Sequence, residues 1–218
     1  MSKTSKSHVQ RQFMIASIAI LAFLFGLWFH YNTQANKVSA ELLSATELSQ
    51  PRVITPFLLT DDKNRPFTLE NFKGQWSLLF FGFTNCPDLC PTTLASLNQS
   101  YKKLAALGQK PLPQIVFISV DPEKDNPRRI NNYLQNFNPN FIGATGSEEY
   151  LHGLTKELSI IYAKVVDKKL ADDEDYSIDH SGAVIIVNPR GQFFGIFSAP
   201  LNAEHIAQDM QAIMHEHS

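Results

Sequence analysis

Trp76–Pro91 reads WSLLFFGFTNCPDLCP, and most of the architecture can be inferred from it. Its first half, Trp76–Phe83, is a nearly continuous apolar run of strand length. Such a run is expected of a strand buried on both faces in the middle of a sheet. A helix follows: Pro91 opens it, and Leu94, Leu97, Tyr101 and Leu104 recur at helical spacing. Cys86 and Cys90 fall between strand and helix. Sites in open α/β sheets gather at the carboxyl ends of strands, so this junction is suited to chemistry.

Further elements read outward from that centre. Gln114–Val120 (QIVFISV) is a second buried strand. Asn126-Pro127 starts a helix, with Pro where its missing N–H costs nothing, and Ile130, Tyr133, Leu134 and Phe137 as the inner face. Ser147–Ser159 reads as a third helix and Tyr162–Val166 as a short strand. Ala183–Val187 and Gln192–Phe197 flank the turn Asn188-Pro189-Arg190-Gly191 as a hairpin, and Asn202–His215 closes as a helix. Upstream, Phe57–Thr60 and Pro66–Thr68 form a hairpin around Asp61-Asp62-Lys63-Asn64. Strands alternating with helices imply one α/β domain over 51–218, with a mainly parallel sheet covered on both sides. The lone glycines read as turn residues.

The 218-residue chain is 44% hydrophobic and 18% charged, as a globular protein is. A formal net charge of -2 gives no basic footprint, so no nucleic-acid partner is expected. Two cysteines exclude a framework of structural disulfides.

The N-terminus, residues 1–12, carries Lys3, Lys6 and Arg11 and no acid. Phe13–Phe29 is uncharged, and with His30 and Tyr31 it reaches roughly the 20 residues that cross a bilayer as a helix. Trp28 and Tyr31 suit the interface, and the preceding positive charge keeps 1–12 in the cytoplasm. A single-pass anchor at 13–31 is therefore expected in the inner membrane, with the rest on the exported, periplasmic side. The alternative is a cleaved signal peptide ending near Val38-Ser39-Ala40, which the length of the apolar run disfavours. Polar residues 32–50 read as a tether, partly helical near Val38–Leu48.

Pro91 pushes Cys90 toward extended geometry, and Pro87-Asp88 favours a turn. The cysteines are thus expected to face each other across a tight loop, not to lie along one helix. Helix N-terminal N–H groups there are expected to lower the thiol pKa values. Facing thiolates can close a disulfide or hold a soft metal. A purely structural bridge over so short a loop would constrain the unfolded chain little.

His180, in Tyr176–Gly182 (YSIDHSG), precedes a buried strand that should share the sheet, so its imidazole can reach the cysteines. Two sulfurs and one imidazole suit Cu(I), and hold Cu(II) with an added oxygen. Structural zinc would want four protein ligands, and no fourth soft one is evident. Asp179 either orients the imidazole or faces solvent. His8, His30, His152, His205, His215 and His217 have no comparable context. Asp172, Asp173, Glu174 and Asp175 are a solvated face, a docking patch for a basic partner or a mobile flap carrying His180.

FTNCPDLCP at Phe83–Pro91, VDPEKDNP at Val120–Pro127 and YSIDHSG resemble the Sco/SenC family, over about Val53 to the C-terminus. The resemblance implies a thioredoxin-like fold, a central mixed sheet flanked by helices, behind one N-terminal transmembrane helix. It implies Cys86, Cys90 and His180 as copper ligands, with Asp88 shaping the loop. It implies a part in assembling the copper centre of cytochrome c oxidase. The partners would be the copper-receiving oxidase subunit, other copper chaperones or thiol reductants. Asn188 departs from the family, which often has Asp at this turn.

Three functions compete on these residues. A copper metallochaperone would pass copper through shared thiolates. A thiol–disulfide oxidoreductase would use Cys86 to attack and Cys90 to resolve. A peroxidase would act through a sulfenate and would not need His180. Thioredoxin-like redox motifs have two residues between their cysteines, whereas three stand here, which favours metal. His180 favours it again.

Overall fold

The computed structural model describes residues 14, 16–28, 41–166 and 176–217. The chain divides into two units, Met1–Glu41 and Leu42–Ser218. In the second unit the elements run β1 (Ala45–Val53), β2 (Leu58–Asp61), β3 (Pro66–Thr68), β4 (Ser77–Gly82), α1 (Leu89–Ala106), β5 (Gln114–Ser119) and α2 (Pro127–Leu134). They continue with β6 (Ile142–Thr145), α3 (Glu148–Glu157), β7 (Tyr162–Val166), β8 (Tyr176–His180), β9 (Val184–Val187), β10 (Gln192–Phe197) and α4 (Ala203–Glu216).

Every residue of β4 is buried, as its apolar run requires. It lies between β5, which it pairs in parallel, and β9, which it pairs antiparallel, in an eight-stranded sheet ordered β1-β10-β9-β4-β5-β6-β2-β3. Strand alternation splits its side chains between two layers. Leu79, Phe81 and neighbouring Phe83 pack with Leu151 and Leu154 of α3. Leu78 and Phe80 pack with Leu94 and Leu97 of α1, Ile130 of α2 and Met210 of α4. The sheet is mixed, and the expectation of a mainly parallel one is corrected: among the described residues only β4–β5–β6 run parallel. The hairpin β9–β10 returns antiparallel, and β1 and the β2–β3 hairpin add antiparallel edges.

The helix starts carry their caps. Asn126 accepts from Arg129 N with Pro127 at the first position, and Asn202 accepts from the N–H groups of Glu204 and His205. In the β9–β10 turn, Asn188 Oδ1 accepts from Arg190 N and Gln192 N, and Gly191 takes the left-handed φ of 73°.

Residues 45–50, expected as tether, are instead part of β1 on the edge of the sheet. The buried carboxylate of Asp209 on α4 holds the entry to this strand, accepting from the N–H groups of Leu43, Ser44 and Ala45 at 2.8 Å each. The expected helical turn near 38–48 therefore gives way to extended chain over 45–48, and 38–40 lie outside the described residues. β7 and β8 form a separate two-stranded sheet.

In the first unit the chain is helical at 14 and 16–28. Among the described residues no helix is long and apolar enough to cross a membrane. The expected anchor, 13–31, falls only partly within them, and the acidic cluster 172–175 lies outside them.

Candidate metal centre

β4 ends at Gly82, and the chain turns through 83–88 into α1. Cys86 is half-buried in this turn and Cys90 is fully buried. Both thiols are free, and Cys90 N donates to Cys86 Sγ at 3.3 Å, so the cysteines face each other as expected. One local expectation is corrected: Cys90 lies in the first turn of α1, with Pro91 after it. Proline is tolerated there because the first N–H groups of a helix need no intrahelical partner. A second correction follows from this burial. The Cys90 thiol pKa is pushed up, because the desolvation of a buried thiolate outweighs the lowering from a backbone hydrogen bond at Phe83.

Cys90 Sγ sits against Gly82. A Cβ at Gly82 would lie 2.5 Å from that sulfur and 3.0 Å from the Phe117 ring. Gly82 ends a strand and is not a turn glycine, so its role is to leave room for the thiol. Only the contact, not the sequence, reveals this.

His180 closes β8 and is brought to the cysteines, as expected. Its Nε2 lies 3.2 Å from Cys90 Sγ and 3.7 Å from Cys86 Sγ, and the three donor atoms all fall within 4.8 Å of one another. The ring packs edge-on to Phe83 and tilted to Phe80. Burial lowers its pKa, favouring the neutral imidazole. Nδ1 is 3.1 Å from the Ser181 carbonyl; donation there leaves the Nε2 lone pair for the thiol side. Asp179, its neighbour, is exposed.

This geometry fits a soft metal. A three-coordinate ion with bonds of about 2.0–2.3 Å needs donors about 3.5–4.0 Å apart, close to the two nitrogen–sulfur spacings here. Two sulfurs and one nitrogen are the donor set expected for copper. Asp88 caps α1 without a side-chain bond to its backbone N–H groups; instead it accepts from Thr92 Oγ1 at 3.4 Å.

Sequence reading missed the support beneath the cysteine loop. Asp125, 1% exposed, accepts from Thr84 N, Thr84 Oγ1 and Ser119 Oγ at 2.8, 2.5 and 2.6 Å. Arg129 donates to Thr84 Oγ1 and to Asn85, the residue before Cys86. The signal was the two aspartates in VDPEKDNP, whose partners lie far away in sequence. Tyr133, read as an inner-face residue of α2, buries its hydroxyl with no hydrogen-bond partner among the described residues.

An α/β domain of thioredoxin type, with two thiols and an imidazole converging at a strand end, defines a class of soft-metal or thiol-handling proteins. The SCO1/SenC family matches residues 45–215, and the chain belongs to that family. A mouse relative, the mitochondrial protein SCO2 homolog, is 39% identical over 155 residues; these make up 71% of this chain but only 60% of the mouse protein. ScoI of Arabidopsis thaliana, crystallised with copper bound, superposes with a TM-score of 0.67 at 30% identity, covering 75% of this chain and 99% of that one. BsSco superposes with a TM-score of 0.58 at 26% identity, covering 77% and 97%. It is described as having a disulfide switch and as a member of the Sco family of cytochrome c oxidase assembly proteins.

Proposed function

We propose that this chain is a membrane-anchored copper metallochaperone. It takes copper on Cys86, Cys90 and His180 and passes it to the copper-receiving subunit of cytochrome c oxidase. The observation that carries the reading is the convergence of the three donor atoms within 4.8 Å, with Cys86 half-buried at the rim and Cys90 buried beneath it. A rim thiol is the ligand an incoming partner can share, while the deeper pair keeps hold of the ion. Copper here is cargo, and soft thiolates favour it as Cu(I). The copper-bound relative and the oxidase-assembly relative support the cargo and the recipient.

The anchor at 13–31 completes the proposal. The helical stretch exposes Ile18, Leu21, Phe23, Leu24, Phe25 and Trp28, each half or more of its surface, around its whole circumference. An all-round apolar helix suits lipid, and Lys3, Lys6 and Arg11 before it suit a cytoplasmic N-terminus. The domain then faces the periplasm.

Titration of the full chain in detergent with Cu(I), against a chromogenic chelator, tests this. One copper per chain is expected, abolished in Cys86→Ser and Cys90→Ser and weakened in His180→Ala. Binding that ignores all three substitutions would sink the copper reading. A second reading is favoured by the facing free thiols. Cys86 would attack a target disulfide, releasing one target thiolate; Cys90 would then displace the second and leave a Cys86–Cys90 disulfide. Reduction of a disulfide substrate by a chain that takes up no copper would select it.

A further inference from the structure

The ligands reach the centre from two different sheets. Cys86 and Cys90 follow β4 of the large sheet, whereas His180 ends β8, which pairs only with β7 among the described residues. No backbone ladder in that set joins the β7–β8 hairpin to β4; at its His180 end the hairpin is tied by the three residues that lead into β9, which pairs with β4, and at its Tyr176 end side chains hold it. The loop after β5 touches both parts. Asp125 grips the cysteine loop through Thr84. Asp121, four residues earlier and also 1% exposed, faces the hairpin: Tyr176 donates its hydroxyl to Asp121 Oδ1 at 2.6 Å, with Glu123 Oε2 at 3.2 Å. Lys124 Nζ stands 3.8 Å from the Tyr176 ring centroid.

Tyr176, Ile178 and His180 alternate along β8 and so share one face. Ile178, 4% exposed, packs in the core, which fixes that face as the inward one. The Tyr176 anchor is about 13 Å along the strand from His180, at about 3.3 Å per residue. Apolar contact through Ile178 is non-directional and tolerates sliding. The hydrogen bond to a buried carboxylate is directional and strong.

We propose that the Tyr176–Asp121 hydrogen bond is a latch that sets where His180 stands over Cys86 and Cys90. Tyr176 and Asp121 are then positioning residues of the centre. The consequence for metal binding rests on the copper reading above; the latch itself does not.

The test uses the full chain carrying Tyr176→Phe or Asp121→Asn. In the reduced, metal-free protein, amide exchange over 176–181 should quicken about tenfold, the scale of one hydrogen bond to a charged group, while β4 and β5 stay protected. Loaded with Cu(II), either variant should lose His180 nitrogen coupling in electron paramagnetic resonance in part of the population. Cu(I) affinity should fall about tenfold, and the double variant should lose no more than either single one. On a His180→Ala background, Tyr176→Phe should change copper affinity no further. Wild-type exchange and coupling in both variants would overturn the latch. So would a further loss on the His180→Ala background, because the substitution would then act through the fold. Should Tyr176→Phe unfold, the isosteric Asp121→Asn decides. If the wild type binds no copper, the copper reading falls and the exchange comparison still decides the latch.

Discussion

The cysteine loop and the β7–β8 hairpin bring ligands to one point but are held there differently. The loop joins a fully buried strand to the longest described helix, and Cys90 is itself a core residue. Beneath the loop, Asp125 ties Thr84 to Ser119. The hairpin is a two-stranded sheet attached by Ile178, Tyr176 and ion pairs from Lys164 to Glu123 and Glu148. Two ligands are thus built into the scaffold and one is carried by an appendage. Such a centre is expected to keep copper on its thiols when the imidazole leaves, which suits the metallochaperone role proposed above.

The contrast can be broken most severely at Cys90. Cys90→Ala should take Cu(I) stoichiometry from one to none in a chelator competition, since one thiol and one imidazole remain. His180→Ala should keep the stoichiometry and weaken affinity about a hundredfold, the upper end of what lost support around a metal costs. Equal losses in the two variants would erase the distinction between scaffold and appendage. Gly82→Ala should sharpen it by disturbing the scaffold side alone. The new methyl displaces Cys90 Sγ, and Cu(I) affinity should fall about tenfold while circular dichroism stays unchanged. The smallest effect lies outside both regions. Burial alone would raise the Asp61 pKa, but hydrogen bonds from Arg65 and Lys63 outweigh it and hold the carboxyl low. A lowered folded pKa adds stability above the unfolded value of about 3.9, and that share disappears as pH falls through the folded pKa. Urea unfolding below about pH 4 should therefore show an acid-dependent step that Asp61→Asn lacks.

The scaffold was more legible than the appendage, for physical reasons. Trp76–Phe83 and the 94-97-101-104 repeat bury side chains at the periods of strand and helix, so their patterns stand out. β1, β6 and β8 did not: ATELSQPRV and YSIDH are polar, and IGAT is short. β1 and β8 owe their order to backbone pairing at an edge or in a lone hairpin, which leaves little side-chain pattern, whereas β6 lies inside the sheet between β5 and β2 and is only four residues long. The three donors were readable because their chemistry is scarce in this chain. Their support was not, since Asp125 meets Thr84 across 41 positions and Tyr176 meets Asp121 across 55. Cys90 is helical despite the proline after it because, in the first turn, Pro91 removes no intrahelical hydrogen bond and meets no carbonyl one turn earlier.

Gly82 has one more consequence. Glycine inside a strand costs about 0.5–1 kcal/mol relative to alanine, and here the space it leaves is filled by the sulfur of Cys90. The two positions therefore share one volume: either a side chain stands on the strand or a thiol leans in from the helix. In a Cys90→Ala chain, Gly82→Ala should change from harmful to stabilising. The reversal of sign, read as a rise in melting temperature, would show that this site stores its ligand in space taken from the sheet.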